Sequence, residues 1–248
     1  MDRGWIDEQL LKRYQEVEDP TYLQERAGRY LTFNKHIRRM QRITGEPNGR
    51  HLLDVGAYVG VFVDVAQEAG WQVEGIEPSR WAVKVAGRDG LPVREGTLSS
   101  VDGSEGSYDV ITLWDVVEHF EDPSREFERA FDLLRPGGFV VLHTIDVSSP
   151  TARLMGARWP FLMEMHLVYF SRYTLRAMLE KIGFEVRSVH TAGRYLSLRY
   201  LAGRVEAAFG SRIGRIMKAI VRGLRLESRE VPVNTFDLFT MYGRKPAE

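Results

Sequence analysis

The stretch HLLDVGAYVGVFVDVAQEAGWQVEGIE, residues 51–77, decides the fold of this 248-residue chain. Its first residues, His51–Val55, form a short apolar run that predicts a buried strand. A turn bearing Gly56 and Gly60 follows, and apolar residues then recur at helical spacing. A second apolar run predicts another strand, and Glu77 stands at its end. This succession of strand, glycine turn, helix, strand and acidic residue is typical of one half of a nucleotide-cofactor site.

The same alternation continues on the C-terminal side of this stretch. Apolar runs separated by segments of helical periodicity predict further strands at Leu91–Arg94, Tyr108–Trp114, Phe139–Thr144, Phe184–His190 and Phe236–Tyr242. Strands that alternate with helices predict an α/β fold, a Rossmann-like doubly wound and mostly parallel sheet with helices on both faces. Ligands of such sheets bind at the carboxyl ends of the strands, so the residues at those ends are the first candidates for a site.

The remaining segments predict additions to this core. Residues 1–46 have helical periodicity and predict a helical N-terminal cap, whereas residues 47–248 contain the main domain. Within that domain, residues 146–170 form a long connection rich in aromatic and methionine side chains. Long connections in compact domains are usually functional, so we expect this insertion to have a functional role. Residues 195–229 carry an apolar stripe at helical spacing and many arginines, which predicts a basic C-terminal helical insertion.

The charge of the chain is balanced overall but unevenly distributed. Acidic and basic residues number 34 each, yet residues 194–229 carry nine basic and two acidic side chains, a local charge of +7. A net charge of zero does not indicate a protein that binds nucleic acid. A basic amphipathic helix pair can rest on an anionic membrane surface, but an apolar stripe is more often core or a homodimer face.

Composition also limits the chemistry and the location. The chain has no cysteine, which excludes disulfides, thiolate metal sites and a cysteine nucleophile. The first residues, MDRGWIDEQLLKRYQE, are charged and lack the apolar run of a secretory signal. No apolar run approaches the roughly 20 residues of a membrane span. We therefore expect a cytoplasmic protein.

The glycine spacing after the first strand decides between cofactors. A dinucleotide fingerprint, Gly-x-Gly-x-x-Gly, starting at Gly56 requires glycine where the chain has Tyr58 and Val61. This argues against an NAD(P) oxidoreductase. What remains is a turn in which Gly56 and Gly60 let the backbone approach a ligand closely. At the end of the second strand, the Glu77 carboxylate can accept hydrogen bonds from both ribose hydroxyls of an adenosine.

Five motifs cover about residues 50–192 in this order: LLDVGAYVG, GIEPS, YDVITLWDVVEHFEDP, LLRPGGFVVL and TLRAMLEKIGFEV. Together they resemble the class I S-adenosylmethionine-dependent methyltransferases. The resemblance implies a seven-stranded sheet whose last strand, DLFTMYG, is antiparallel, with S-adenosylmethionine as the cofactor. It also implies that Asp54, Gly56 and Gly60 surround the methionine part of the cofactor and that Glu77 holds the ribose.

Two positions depart from the family pattern. The glycine that is common between Gly56 and Gly60 is Tyr58 here, which makes the loop less open. The acidic residue that many members set against the adenine is replaced by Gly96-Thr97-Leu98, where we expect a backbone contact instead. The cofactor-binding candidates are Asp54, Gly56, Ala57, Tyr58, Gly60, Glu77, Pro78, Thr97, Leu98, Trp114, Asp115 and Val116.

Methyl transfer from a sulfonium is an in-line displacement from an activated donor, so the protein mainly aligns the acceptor and excludes water. A hydroxyl acceptor also needs a base, a role that suits histidine near neutral pH. The catalytic candidates are His119 after the fourth strand, His143 at the end of the fifth and His166 in the aromatic insertion. The family resemblance implies that this insertion, residues 146–170, is acceptor-binding. The other histidines, interpreted as structural, are His36, His51 and His190.

The segment Asp115-x-x-Glu118-His119 is similar to the metal-binding Glu-x-x-Glu-His of quinone-biosynthesis O-methyltransferases. Two carboxylates and an imidazole can hold a divalent ion. The first position is aspartate here, however, and Glu-His before an Asp-Pro turn is widespread among family members without a metal. We therefore expect no resident metal.

The overall layout resembles bacterial methyltransferases that modify sugars or surface-glycan intermediates. We expect O-methylation of a small hydroxylated acceptor, either such a sugar or a quinone-like phenol. Tyr22 or Tyr30 of the N-terminal cap is the candidate for a lid residue that faces this acceptor. The alternative hypothesis, from a different class, is a catalytically silent cofactor-binding protein that regulates or scaffolds a partner through its basic helices.

Overall fold

The computed structural model describes residues 20–102 and 105–247. The predicted helical periodicity of residues 6–17 therefore lies outside the described residues. The nine described strands are β1 (His51–Val55), β2 (Gln72–Glu77), β3 (Val93–Glu95), β4 (Tyr108–Trp114), β5 (Leu134–Ile145), β6 (Glu185–Thr191), β7 (Arg194–Ser197), β8 (Glu230–Val233) and β9 (Leu238–Arg244). Seven of them form one sheet in the order β3-β2-β1-β4-β5-β9-β6.

The pairing within this sheet confirms the predicted fold. β9 pairs antiparallel with both β5 and β6, whereas the pairs among the first five strands are parallel. Parallel pairing brings the carboxyl ends of β1, β2, β4 and β5 to the same edge of the sheet. The strand order reverses between β1 and β4, which is where ligands bind in open α/β sheets.

Helices cover this sheet. The described helices are α1 (Pro20–Gln24), α2 (Arg26–Thr44), α3 (Val61–Glu68), α4 (Arg80–Arg88), α5 (Pro123–Leu133), α6 (Pro150–Met155), α7 (Arg172–Ile182), α8 (Leu198–Phe209) and α9 (Ser211–Gly223). Hydroxyl caps fix two of the starts, since Ser79 accepts from the backbone N–H of Ala82 and Ser171 from that of Thr174. Within the described residues, no helix has the length and apolar character to cross a membrane.

Successive residues of β1 enter two separate cores, so the sheet is buried on both faces. Leu53 packs in the same cluster as Phe127 of α5. Leu52 packs on the other face in a cluster with Phe62 of α3 and Met40 of α2. The N-terminal helix α2 is therefore built into the main core.

The start of β5 differs from the prediction. The strand begins at Leu134, opposite Tyr108 of β4, whereas the prediction began it at Phe139 after a Pro-Gly-Gly break. Gly137 has a φ of +79°, which glycine adopts without strain, and it donates its backbone N–H to the carbonyl of Lys245 at 3.0 Å. Pairing with the C-terminal segment thus carries the strand through a sequence that normally ends an element.

A small two-stranded sheet was not predicted. β7 and β8 pair antiparallel, with Arg194 opposite Val233, and the two predicted basic helices α8 and α9 lie between them, separated at Gly210. Runs of four residues are too short to show a period, so sequence periodicity gives no sign of them. β7 also lies against α2, because the backbone N–H of Tyr195 donates to Thr32 Oγ1 at 2.8 Å.

Candidate active site

Two buried carboxyl groups mark the β1–β2 edge, which comprises residues 54–60 and Glu77. Asp54 is only 2% exposed and accepts a hydrogen bond from the hydroxyl of Thr112 in β4, with Oγ1 2.6 Å from Oδ1. Burial raises the pKa of Asp54 to about 8 and that of Glu77 to about 7. Loss of water around these groups disfavours their charged forms.

Backbone groups of two neighbouring turns hold Glu77. Its Oε2 accepts the N–H of Tyr58 at 3.0 Å, and its Oε1 accepts the N–H of Ser79 at 2.7 Å. These two bonds favour the carboxylate and oppose the effect of burial on its pKa. A carboxylate offers about four lone-pair positions, so two remain for the hydroxyls of a ribose. These acceptor positions therefore fit the ribose of an adenosine, although the complete burial of Glu77 requires neighbouring side chains to move first.

The side chain of Tyr58 is directed toward the N-terminal helices. Its φ of +50° lies in the left-handed region, which is uncommon for a residue other than glycine. Its ring centroid lies 4.4 Å from that of Tyr22 in α1 and 5.8 Å from that of Trp81 in α4. An aromatic layer thus joins the β1–β2 edge to the N-terminal helices.

The two glycines of the turn are required by the protein's own packing. Gly56 has a φ of +69°, and a Cβ atom there would lie 2.5 Å from Val116 Cγ2. Gly60 has a φ of +79°, and a Cβ atom there would lie 2.7 Å from Leu91 Cδ1. Close approach of protein atoms therefore explains the glycine spacing, in addition to any ligand.

A cavity of about 280 Å³, the first cavity, lies between the ends of β4 and β5 and the N-terminal helices. Trp114 and Asp115 line it at the end of β4, His143 in β5, His36 in α2 and Arg194 in β7. The Trp114 ring centroid lies 4.9 Å from that of His36 and 5.7 Å from that of His143. The first cavity thus has an aromatic wall beside the strand ends at which this kind of sheet binds ligands.

A neutral histidine and an ionised carboxylate meet in this cavity. His143 is 3% exposed, and burial lowers its pKa to about 4. Its Nδ1 lies 3.0 Å from Thr240 Oγ1, and its Nε2 lies 3.7 Å from Asp115 Oδ1. Burial opposes ionisation of Asp115, but nearby positive charge, above all that of Arg194, outweighs it and lowers the pKa of that carboxyl. His143 is therefore uncharged at neutral pH beside a fixed negative charge.

Two arginines add positive charge to the first cavity. Arg194 donates from Nη2 to Asp115 Oδ1 at 3.0 Å. The guanidinium carbon of Arg29 lies 3.5 Å from the ring centroid of Tyr22. The Nε atoms of both arginines are buried and have no hydrogen-bond partner among the residues that the structure describes. A buried donor without a partner is costly, so both atoms are suited to a ligand.

Glu118, His119 and His166 form a separate cluster, with ligand atoms that all lie within 4.8 Å of one another. His119 Nδ1 lies 2.7 Å from the carbonyl of Met165, and His166 Nδ1 lies 2.7 Å from that of Phe161. A carbonyl only accepts, so both rings carry their proton on Nδ1 and present Nε2 as an acceptor. Burial, followed by the charge of Asp115, raises the pKa of Glu118 to about 8. Chemically this set can hold a divalent ion.

The three predicted catalytic histidines lie in two places. His143 lines the first cavity, whereas His119 and His166 lie against each other, with ring centroids 4.9 Å apart, outside its lining. The 146–170 insertion is anchored by Trp159, whose Nε1 donates to Asp237 Oδ2 at 2.8 Å. Of the two candidate lid residues, Tyr22 lines the cavity, and Tyr30 donates its hydroxyl proton to Asp64 instead.

The remaining cofactor candidates have these surroundings. Leu98 is 1% exposed and Ala57 is 5% exposed, so both are core residues, and Pro78 is half-buried directly after Glu77. The backbone N–H of Thr97 donates to Ser100 Oγ at 3.0 Å at the start of a 3₁₀ turn.

The lining residues of the first cavity that sequence reasoning missed include Arg29, His36 and Arg194. Arg29 was not singled out, His36 was interpreted as structural, and Arg194 was seen only as part of a basic segment. Arg29 and His36 are seven residues apart, so helical periodicity alone places them on one face of α2. No sequence signal links Arg194 to them, because its position depends on the pairing of β7 with β8.

Comparison with known proteins agrees with this geometry. A family model described as "Methyltransferase domain" matches residues 23–189. A ubiquinone biosynthesis O-methyltransferase of Bordetella avium is 30% identical over 118 residues, 43% of this chain and 47% of that protein. The corresponding protein of Shewanella halifaxensis is 27% identical over 129 residues, 48% of this chain and 55% of that protein. The matched part of the chain thus spans about half the length of these curated relatives.

The fold recurs in solved structures. A SAM-dependent methyltransferase from Archaeoglobus fulgidus superposes with a TM-score of 0.60 and 17% sequence identity, covering 92% of this chain and all of that one (100%). The [4+2]-cyclase SpnF superposes with a TM-score of 0.57 and 19% identity, covering 87% of this chain and 81% of that one. The chain therefore belongs to the class I S-adenosylmethionine-dependent methyltransferase family, and S-adenosylmethionine is its cofactor, as predicted.

Proposed function

We propose that this protein is an O-methyltransferase that acts on a small hydroxylated molecule, a sugar or glycan intermediate or a quinone-like phenol. The observation that carries the proposal is the first cavity, in which uncharged His143 stands 3.7 Å from the Asp115 carboxylate. The curated relatives, named as ubiquinone biosynthesis O-methyltransferases, support a phenol-like acceptor. The aromatic wall formed by Phe33 and Trp114 suits a flat or hydroxyl-bearing ring.

We assign the cofactor to the β1–β2 edge. S-adenosylmethionine, when bound, supplies a methyl group on a positively charged sulfur. The turn from Gly56 to Gly60 and the carboxyl of Asp54 hold its methionine part, and the free lone pairs of Glu77 accept the ribose hydroxyls. Movement of Tyr58 away from Tyr22 opens this edge, because Glu77 is otherwise fully buried.

We assign the base to His143. In this proposal Nδ1–H donates to Thr240 Oγ1, which leaves Nε2 to take the proton of the acceptor hydroxyl. The Asp115 carboxylate stabilises the imidazolium that results, and Arg194 keeps that carboxylate ionised and in place. His119 and His166 then serve to fix the 146–170 insertion through their bonds to Met165 and Phe161.

The first cavity has walls on three sides. Residues 20–46 of the N-terminal cap provide Phe33 and His36, and β7 provides Arg194. We propose that this part of the chain positions the acceptor while the sheet edge positions the cofactor. Alignment and exclusion of water supply most of the catalysis in a transfer from an activated donor.

Transfer of labelled methyl from S-adenosylmethionine into a panel of phenols, sugars and amines tests the proposal. We expect label in hydroxyl acceptors only. A thermal-shift series is run in parallel, because S-adenosylhomocysteine at ~100 times its dissociation constant adds ~2.7 kcal/mol of stability. Stabilisation without labelling of any acceptor favours the silent scaffold. Labelling of amines alone contradicts O-methylation, and stabilisation by NAD(P) alone contradicts both hypotheses.

A further inference from the structure

A second cavity, also of about 280 Å³, adjoins the first. Lys35 and Arg39 of α2 line one side of it, and the segment from β6 to β7 lines another. His36, Arg194 and Tyr195 belong to the lining of both cavities, so the two spaces share a wall. Among the residues that the structure describes, no acidic side chain lines the second cavity.

The second cavity carries uncompensated positive charge. Lys35 and Arg39 are four residues apart on one helix, where like charges repel each other. Within the described parts of the chain, neither side chain takes part in an ion pair. Two cations on one concave wall favour a ligand with two negative charges.

Neutral donors accompany these charges. The Oδ1 atom of Asn234 accepts the backbone N–H of Phe236 at 2.9 Å, which leaves its amide N–H groups for the cavity that it lines. Arg194 Nε is buried without a partner among the described residues, and its charge is already balanced by Asp115. Cationic and amide donors that line one cavity are the pattern that holds phosphate oxygens.

We propose that the second cavity binds a phosphate group of the acceptor through Lys35, Arg39 and Asn234, so that the acceptor is a phosphorylated hydroxy compound. This inference rests on the proposed function, since it sets the acceptor hydroxyl in the first cavity beside His143. A phosphate monoester carries about −1.5 to −2 charges at pH 7, which matches the two uncompensated cations, whereas a carboxylate carries only one. Because His36 and Arg194 line both cavities, one acceptor can place its phosphate in the second cavity and its hydroxyl in the first.

The first test measures binding of inorganic phosphate to the intact protein by calorimetry, with acetate as the comparison. We expect phosphate to bind and acetate at the same concentration not to. The double variant Lys35→Gln, Arg39→Gln is expected to weaken phosphate binding at least tenfold. Arg38→Gln is the matched control, because Arg38 is exposed on the same helix and does not line the cavity. Equal affinity for phosphate and acetate, or equal losses in both variants, overturns the proposal.

The second test separates this inference from the proposed function. Hydroquinone and its phosphate monoester, and glucose and glucose 6-phosphate, are compared as methyl acceptors. We expect a KM at least tenfold lower for the phosphorylated member of the accepted pair, a difference that the double variant abolishes with little change in kcat. Methyl transfer with equal KM values for the two members of a pair overturns this inference but does not contradict the proposed function. Phosphate binding without any methyl transfer contradicts the function and leaves the anion site standing.

Discussion

The β1–β2 edge and the first cavity lie at the same end of one sheet, yet they differ in whether their buried polar groups have hydrogen-bond partners. At the β1–β2 edge, Asp54 and Glu77 are buried and their hydrogen-bond partners come from the protein itself. In the first cavity, Arg29 and Arg194 keep buried Nε atoms without partners among the described residues. The first region is satisfied without a ligand, whereas the second is not.

This difference indicates which of the two regions determines specificity for the acceptor. A site whose polar groups already satisfy one another can be encoded by short local motifs, because each partner comes from a neighbouring strand or turn. A site with unpaired donors keeps the energetic cost of burial until a matching ligand arrives. We therefore expect the β1–β2 edge to govern stability and cofactor affinity, and the first cavity to govern turnover. Three predictions test this division, from the largest effect to the smallest.

The largest effect concerns pH and stability at the β1–β2 edge. Burial raises the pKa of Asp54 from an ordinary 3.8 to about 8, so between these values the folded protein holds a proton that the unfolded chain releases. Stability from this group is fully present below pH 3.8 and is lost as the pH rises toward 8. The free energy of unfolding therefore falls as the pH rises through this window, and Asp54→Asn should make that fall less steep by about 1.4 kcal/mol per pH unit. Denaturant unfolding at pH 5, 6 and 7 measures it.

The control for this experiment is Asp122→Asn, the same substitution at an exposed helix N-cap. Parallel curves for wild type and Asp54→Asn would mean that Asp54 is ionised in the folded protein. In that case our interpretation that burial keeps Asp54 protonated in the folded protein is wrong.

The next effect concerns turnover in the first cavity. His143→Asn keeps a polar group opposite Thr240 but removes the base, so kcat should fall about 100-fold, in the range of general-base catalysis. The dissociation constant of S-adenosylhomocysteine should stay within about twofold, because His143 lies outside the β1–β2 edge. Steady-state kinetics and calorimetry measure the two quantities. A drop in kcat of less than about threefold would remove His143 from the mechanism.

The smallest effect concerns cofactor affinity. Glu77→Gln keeps the length of the side chain but loses one acceptor oxygen, so the dissociation constant of S-adenosylhomocysteine should rise at least tenfold, about 1.4 kcal/mol. Glu95→Gln, at the exposed end of β3, is the matched control and should leave this dissociation constant unchanged. An unaltered affinity in the Glu77 variant would mean that ribose binds elsewhere.

The fold was largely predictable because its signals are local. The apolar runs of β1, β2, β4 and β6 and the helical spacing between them stand in continuous stretches of sequence. The prediction failed where an element exists only through pairing with a distant one. β7 and β8 are four residues each and form strands by contact with each other, and β5 extends through Pro-Gly-Gly because the C-terminal segment pairs with it.

The site was predictable only in part, for a related reason. His143 follows from its position at the end of a predicted strand, and it does line the first cavity. His36 was interpreted as structural, and it is buried with its ring centroid 4.9 Å from that of Trp114. Only the packing of α2 shows that it also lines the first cavity. Lys35 and Arg39 were not singled out, since nothing local predicts that they will line a cavity together with residues of β6 and β7.

The sheet followed from the apolar runs of the sequence, and its antiparallel last strand and the cofactor class followed from the family resemblance. Glycine spacing at residues 56–60 and an acidic residue at position 77 act through backbone conformation and neighbouring strands, which a short stretch encodes completely. Only the tertiary structure decided the acceptor side. Arg29, His143 and Arg194 come from three separate elements, and their burial, pairing and unmet hydrogen bonds arise when those elements pack together and exclude water.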